Sequence, residues 1–249
     1  MEIIVQPTAQ TAGCTVAELM AQALAAQPEL VLGLASGRTM EPVYDELVRM
    51  HREEALDFAR CRTFNLDEYI GLAADDPRSF HYFMRRRFFD HVNIQSGHTH
   101  LPDGLASSLQ AECENYEKLI AEKGGIGLQL LGIGLNGHVG FNEPQSPLDS
   151  RTRVVELSPL TRAQNASFFP SLEEVPRRAI TVGIGTILDA RRCVLLATGL
   201  SKAKIVSKAI EGPLTTVVAA SALQLHPNCT VVLDEAAASG LRNKIFTRK

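Results

Sequence analysis

Short apolar runs rich in valine, isoleucine and leucine alternate along this chain with longer stretches in which apolar residues return every three or four positions. The runs fit strands buried on both faces, and the longer stretches fit amphipathic helices. Their alternation predicts an α/β fold: a mostly parallel, doubly wound, Rossmann-like sheet with helices on both faces. Strands are expected at the very start (Met-Glu-Ile-Ile-Val) and at 30–34, 62–66, 128–133, 193–198 and 230–233. Thr15 followed by Glu18 reads as a capping box opening a helix that ends near Gln27, and helical spacing marks 41–51, 79–90 and 105–123. The one long stretch without periodicity, 134 to about 150, directly follows a predicted strand. Loops of that length in a compact domain are usually functional, and the carboxyl edge of the sheet is where α/β enzymes bind ligands. No internal repeat, low-complexity tract or linker interrupts the pattern, so residues 1–249 are expected to form a single domain.

Composition narrows the class. With 45% hydrophobic and 21% charged residues among 249, the chain has ample apolar material for a core, and disorder is not indicated. Net charge is -3, and the basic residues are scattered except for Arg85, Arg86 and Arg87, which read as the solvated face of a helix. A nucleic-acid partner is therefore not expected. The five cysteines are odd in number, widely spaced and without a C-x-x-C pair, which fits a reducing compartment. With no basic n-region and no long apolar run at the start, a cytoplasmic location and no membrane partner are expected.

Four segments carry candidate chemistry, each after a predicted strand. Gly33 to Thr39 is a small-residue turn into a helix, suited to holding an anion on backbone N–H groups, with Ser36, Gly37, Arg38 and Thr39 tilting it toward phosphate. Asp67 and Glu68 are adjacent carboxylates where an apolar strand ends; side chains alternate along a strand, so at most one faces a given pocket, and a helix N-cap is the competing role for Asp67. Gly132, Gly134 and Gly137 spell G-x-G-x-x-G, but Gly140, Pro144 and Pro147 follow too closely for the helix a dinucleotide site requires. That mobile-looking, glycine-rich loop instead offers His138 and Glu143 as a proton-transfer pair. Lys202 follows Gly199 and Ser201 at a helix start, where it could hold phosphate as a point charge. His98, His100 and His138 match no metal-site spacing, and no cofactor is needed.

Taken together, the stretches LGLASGRT, FNLDEYIGL, SFHYFMRRRFFDHVNI, LLGIGLNGHVGFNEP, SRTRVVELSPLTRAQNASFF, AITVGIGTILDARR and SALQLHPNCTVVLDEAA resemble the glucosamine-6-phosphate deaminase family in family order. The resemblance implies isomerisation and deamination of glucosamine 6-phosphate to fructose 6-phosphate and ammonia, without metal or cofactor. It implies that Asp67 moves a proton between C2 and C1, and that His138 opens the sugar ring with Glu143 orienting it. Phosphate would fall to Ser36, Gly37, Arg38, Thr39, Arg162 and Lys202. Such chemistry suits the residue types: a carboxylate-oriented imidazole can take and return a proton, and one carboxylate can serve two adjacent carbons. Asn136 stands where many members carry an acid and is read as a hydrogen-bonding partner; Arg38 replaces a small residue. The competing readings are a galactosamine-6-phosphate deaminase, a 6-phosphogluconolactonase and a non-catalytic sugar-phosphate sensor. Some members are hexamers activated by N-acetylglucosamine 6-phosphate. This chain keeps Ser146 and Arg153 of the implied effector site but has Pro147 and Val155 at two further positions, so a monomer or small homo-oligomer without that activation is expected.

Overall fold

The computed structural model describes residues 1–242 and the short strand Thr247–Arg248; Lys249, the last residue of the expected domain, lies outside the described residues. In chain order the strands are β1 (Glu2–Gln6), β2 (Val31–Leu34), β3 (Arg62–Asn65), β4 (Asp67–Tyr69), β5 (Thr99–His100), β6 (Leu128–Leu131), β7 (Arg153–Glu156), β8 (Arg178–Thr181), β9 (Cys193–Ala197), β10 (Cys229–Asp234) and β11 (Thr247–Arg248). The helices are α1 (Ala9–Ala26), α2 (Glu41–Glu54), α3 (Phe80–Arg87), α4 (Leu109–Glu122), α5 (Pro159–Asn165), α6 (Ile184–Leu188), α7 (Ala203–Glu211) and α8 (Glu235–Ala238). Parallel pairing joins β11-β1-β10-β9-β6-β2-β3-β5 into the main sheet. Strands β2, β6, β9 and β10 are buried throughout, which is why they read as largely apolar runs. One large apolar cluster runs through this sheet and its helices.

Helix boundaries moved where side-chain chemistry overrode periodicity. Helix α1 starts at Ala9, not at Thr15: Thr8 caps it and exchanges hydrogen bonds with Thr11 in a reciprocal capping box. Thr15 is buried inside the helix, where its hydroxyl donates to the Thr11 carbonyl and accepts from Gln6 Nε2, so it cannot cap. Helix α4 begins four residues later than expected because Ser108 caps it, accepting from Ala111 N at 3.3 Å. Ser79 caps α3, which closes at Arg87 before a single 3-10 turn at Phe89–His91.

A second sheet, antiparallel and ordered β4-β8-β7, was not expected. The chain passes from one sheet to the other at Leu66, whose N–H donates to Leu34 O in the main sheet and whose carbonyl accepts from Val182 N beside the small one. Tyr69, Phe141, Leu157, Phe169, Val175 and Ala179 form a separate apolar cluster in this region. Chain order reverses between β2 and β6: β2 leads to β3 and β5 on one side, whereas β6 leads to β9 and β10 on the other. The loops leaving the carboxyl ends of these strands therefore flank a crevice, the usual ligand position in open α/β sheets. Among the described residues no helix is long and apolar enough to cross a membrane.

Candidate active site

All four singled-out segments meet at this crevice. It encloses about 270 Å³ and is walled by the turn after β2 (Ser36, Gly37, Arg38, Thr39), by Asp67, by His138 after β6 and by Lys202 after β9. Asp67 is the first residue of β4, buried to 7% exposure at the handover between the two sheets. No hydrogen bond from the described residues reaches its carboxylate. Burial pushes its pKa up to about 8, with the charge of Glu68 adding to the effect. Glu68 faces away, as strand alternation requires. Its carboxylate accepts from the N–H groups of Tyr69, Phe80 and His81 and meets His81 Nδ1 at 2.8 Å, so Glu68 rather than Asp67 serves the start of α3.

The loop after β6 contains no helix, so the G-x-G-x-x-G spelling lacks the geometry of a dinucleotide site. Nor is it loosely held. Gly134 N donates to His138 O at 2.9 Å, Gly137 N to Gly134 O at 3.0 Å, and Phe141 N to Thr181 Oγ1 at 3.0 Å. Fully buried Asn142 donates to the carbonyls of Val139 and Val182. Position 134 must be glycine because a Cβ there would lie 2.3 Å from His138 Nε2. Position 137 adopts φ 90°, where a side chain would be strained and would also meet Val218 Cγ1 at 2.8 Å.

His138 is 14% exposed, with Nδ1 3.9 Å from Glu143 Oε2 and 3.4 Å from Thr161 Oγ1. Burial holds the imidazole below its ordinary pKa, Glu143 pulls it back up, and Lys202 pushes it further down, so it is neutral at pH 7. Burial would raise the Glu143 carboxyl, but Thr161, the Ser158 N–H, His138 and Asn136 together hold it below the usual range. Asn136 bridges the pair: its Nδ2 donates to Glu143 Oε2 at 2.6 Å and its Oδ1 accepts from His138 N at 3.2 Å. The result is a neutral imidazole beside a fixed carboxylate, a proton acceptor with its orientation set.

The phosphate candidates divide. Ser36 Oγ is buried and unpaired at the cleft wall, and Gly37, at φ 104°, turns the chain into a 3-10 turn whose first N–H groups, those of Arg38 and Thr39, precede its first closing bond, from Met40 N to Gly37 O. Gly199, at φ 89°, repeats the device before Lys202, whose Nζ donates to Ile133 O at 2.6 Å. Burial lowers the Lys202 pKa. Arg38 reaches across the cleft, donating to Ser167 Oγ at 3.2 Å with its guanidinium 4.6 Å from the Phe168 ring centroid. Arg162 is placed elsewhere. Its guanidinium donates to the carbonyls of Leu172 and Val175, and it does not line the cleft. Among the described residues no group of three or more His, Cys, Asp or Glu is placed to hold a metal ion.

The family of glucosamine-6-phosphate isomerases and 6-phosphogluconolactonase matches residues 6–231. The chain belongs to this family. Within it, the chain is 49% identical over 242 residues to the glucosamine-6-phosphate deaminase of Arthrobacter sp. strain FB24, covering 97% of this chain and 93% of that one. It is 51% identical over 239 residues to the glucosamine-6-phosphate deaminase of Rhodopirellula baltica, covering 96% and 95%. The solved structure of a monomeric glucosamine-6-phosphate deaminase superimposes with a TM-score of 0.95 at 45% identity, covering 96% of this chain and all of that one. The 6-phosphogluconolactonase of Trypanosoma brucei, at 22% identity and a TM-score of 0.77, shares the fold.

For this member of the glucosamine-6-phosphate isomerase family, the sequence reading missed one wall of the site. Thr161, Gln164, Asn165 and Phe168 present one helical face, with Thr161 against His138 and the other three lining the cleft. The spacing 161, 164, 165, 168 after the Ser158–Pro159 cap was the available signal. Arg153, matched in sequence to an effector site, donates to Asn142 Oδ1 at 2.8 Å and Ser146 Oγ at 2.9 Å.

Proposed function

We propose that this protein converts glucosamine 6-phosphate and water to fructose 6-phosphate and ammonia. The observation that carries the reading is the buried, unpaired carboxylate of Asp67, opening on the same cleft as a neutral His138. A carboxylate held that way has a raised proton affinity, suited to removing a proton from carbon next to a carbonyl. The substrate's ammonium at C2 would sit beside it and favour the charged form on binding. His138 would take the anomeric hydroxyl proton and return it to the ring oxygen, with Glu143 and Asn136 fixing the imidazole. Asp67 would then carry the C2 proton to C1, leaving an imine at C2 that water hydrolyses to the ketone with release of ammonia.

Phosphate would be held by Ser36, the backbone at Gly37, Arg38 and Thr39, and Lys202, supplying remote binding energy that fixes the reacting carbons. The reaction asks nothing of a metal or organic cofactor. A role in N-acetylglucosamine breakdown, cytoplasmic location and a monomeric state are part of the same reading. They are supported by the five free cysteines, four of them buried, and by similarity to a monomeric deaminase. One apolar cluster spanning β1 to β10 supports treating residues 1–249 as one unit.

The test is incubation of chelator-treated protein with glucosamine 6-phosphate and, separately, galactosamine 6-phosphate, measuring ammonia and the ketose phosphate. Stoichiometric ammonia and fructose 6-phosphate from the gluco sugar is expected. Ammonia from the galacto sugar alone would move the assignment to its epimer, and none from either would overturn it.

A further inference from the structure

Gln164 stands out because its Nε2 is buried and has no hydrogen-bond partner, although the side chain lines the cleft. A buried amide donor without a partner is costly, and native proteins rarely tolerate one unless something else satisfies it. Ser36 Oγ, on another wall of the same cleft, is also buried and unpaired. The position of Gln164 says what it faces. Thr161, one turn before it, touches His138, while Ser167 and Phe168, about one turn after it, touch Arg38 of the phosphate turn. At about 1.5 Å of rise per residue, Gln164 lies roughly midway along the 10 Å between those ends.

Resting on the deaminase reading, we infer that Gln164 is a specificity residue that hydrogen-bonds a hydroxyl in the middle of the sugar's carbon chain, at C3 or C4. A hexosamine phosphate with its anomeric end at His138 and its phosphate at Ser36 and Lys202 places those carbons beside the amide. Gln164 can donate from Nε2 and accept at Oε1, so it can read a hydroxyl in either sense. A site built around such a bond rejects an analogue lacking the hydroxyl, because the amide is again left unpaired.

The experiment measures kcat/KM for glucosamine 6-phosphate and its 3-deoxy and 4-deoxy analogues, in wild type and in Gln164→Leu, which keeps bulk but loses both polar groups. Wild type is expected to disfavour one deoxy analogue by about ten-fold, and Gln164→Leu to lose about ten-fold on the full substrate with less than about two-fold change on that analogue. Gln164→Asn, which shortens the reach but keeps the amide, serves if the leucine variant fails to fold, and should retain part of the discrimination. Equal losses on all three sugars, or undiminished discrimination in the variant, would overturn the assignment of Gln164 while leaving the deaminase reading intact. A wild type that releases no ammonia would overturn both.

Discussion

Replacing Asp67 by Asn should make the protein more stable and nearly inactive, and the gain in stability should depend on pH. The carboxyl titrates at 3.8 when exposed and at about 8 in the folded chain. Between those values the folded state holds a proton that the unfolded chain releases. Folding stability therefore falls with rising pH by about 1.4 kcal/mol per unit, from near zero cost at pH 4 to about 4 kcal/mol at pH 7. Asn presents a neutral group of the same shape and escapes that cost. Denaturant unfolding of both proteins at pH 5, 6 and 7 is the assay, with ammonia release measured alongside. The variant's advantage should widen by about 1.4 kcal/mol at each step, while turnover falls by a factor on the order of 100 or more. A gap that stays constant with pH would show that the carboxylate is not the strained, proton-hungry group described here. Near-normal turnover would remove Asp67 from the chemistry altogether.

His138→Gln should be slow on the cyclic sugar and lose much less on the fraction already open; an equal loss on an analogue locked open would argue for another role. Lys202→Ala should weaken fructose 6-phosphate binding by about ten-fold or more, and Arg162→Ala much less, because Arg162 serves the Leu172 and Val175 carbonyls. The same loss for both in calorimetric titration would place Arg162 at the phosphate after all. Saturation with glucosamine 6-phosphate should be hyperbolic and unchanged by N-acetylglucosamine 6-phosphate, because Arg153 is already bonded to Asn142 and Ser146. A sigmoidal curve that the acetylated sugar straightens would refute this.

The main sheet was readable because its central strands are buried on both faces, leaving contiguous apolar runs such as Cys193 to Ala197. The small antiparallel sheet was not. Strand β7 is partly exposed along its length, and β4 spells Asp-Glu-Tyr, whose place in a sheet is decided by partners more than a hundred residues away. The start of α1 hid behind a Thr8–Thr11 pair, a capping box without the acid that usually marks one. At the site, the four loops were legible because glycine and charged residues follow strands. The wall from Thr161 to Phe168 was not, because it is a short helix joined to a 3-10 turn and its meaning lies in what it faces.

Asp67 and Glu68 show how a fold separates adjacent carboxylates. The same alternation that turns Asp67 toward the cleft turns Glu68 toward the start of α3, where three backbone N–H groups and His81 receive it. Glu68 is almost wholly buried, yet it is fully satisfied and anchors α3. Asp67, buried at the cleft wall, is given no donor, and its neighbour's charge raises its proton affinity further. Such a group persists only where the surroundings outweigh its cost. Here they are the main-sheet hydrogen bond of Leu66 to Leu34, the bond from Val182, and the mutually packed rings of Tyr69, Phe80 and Phe141. Close packing thus surrounds a carboxyl that is kept unsatisfied, and a base for proton transfer at carbon is the use to which such a position is suited.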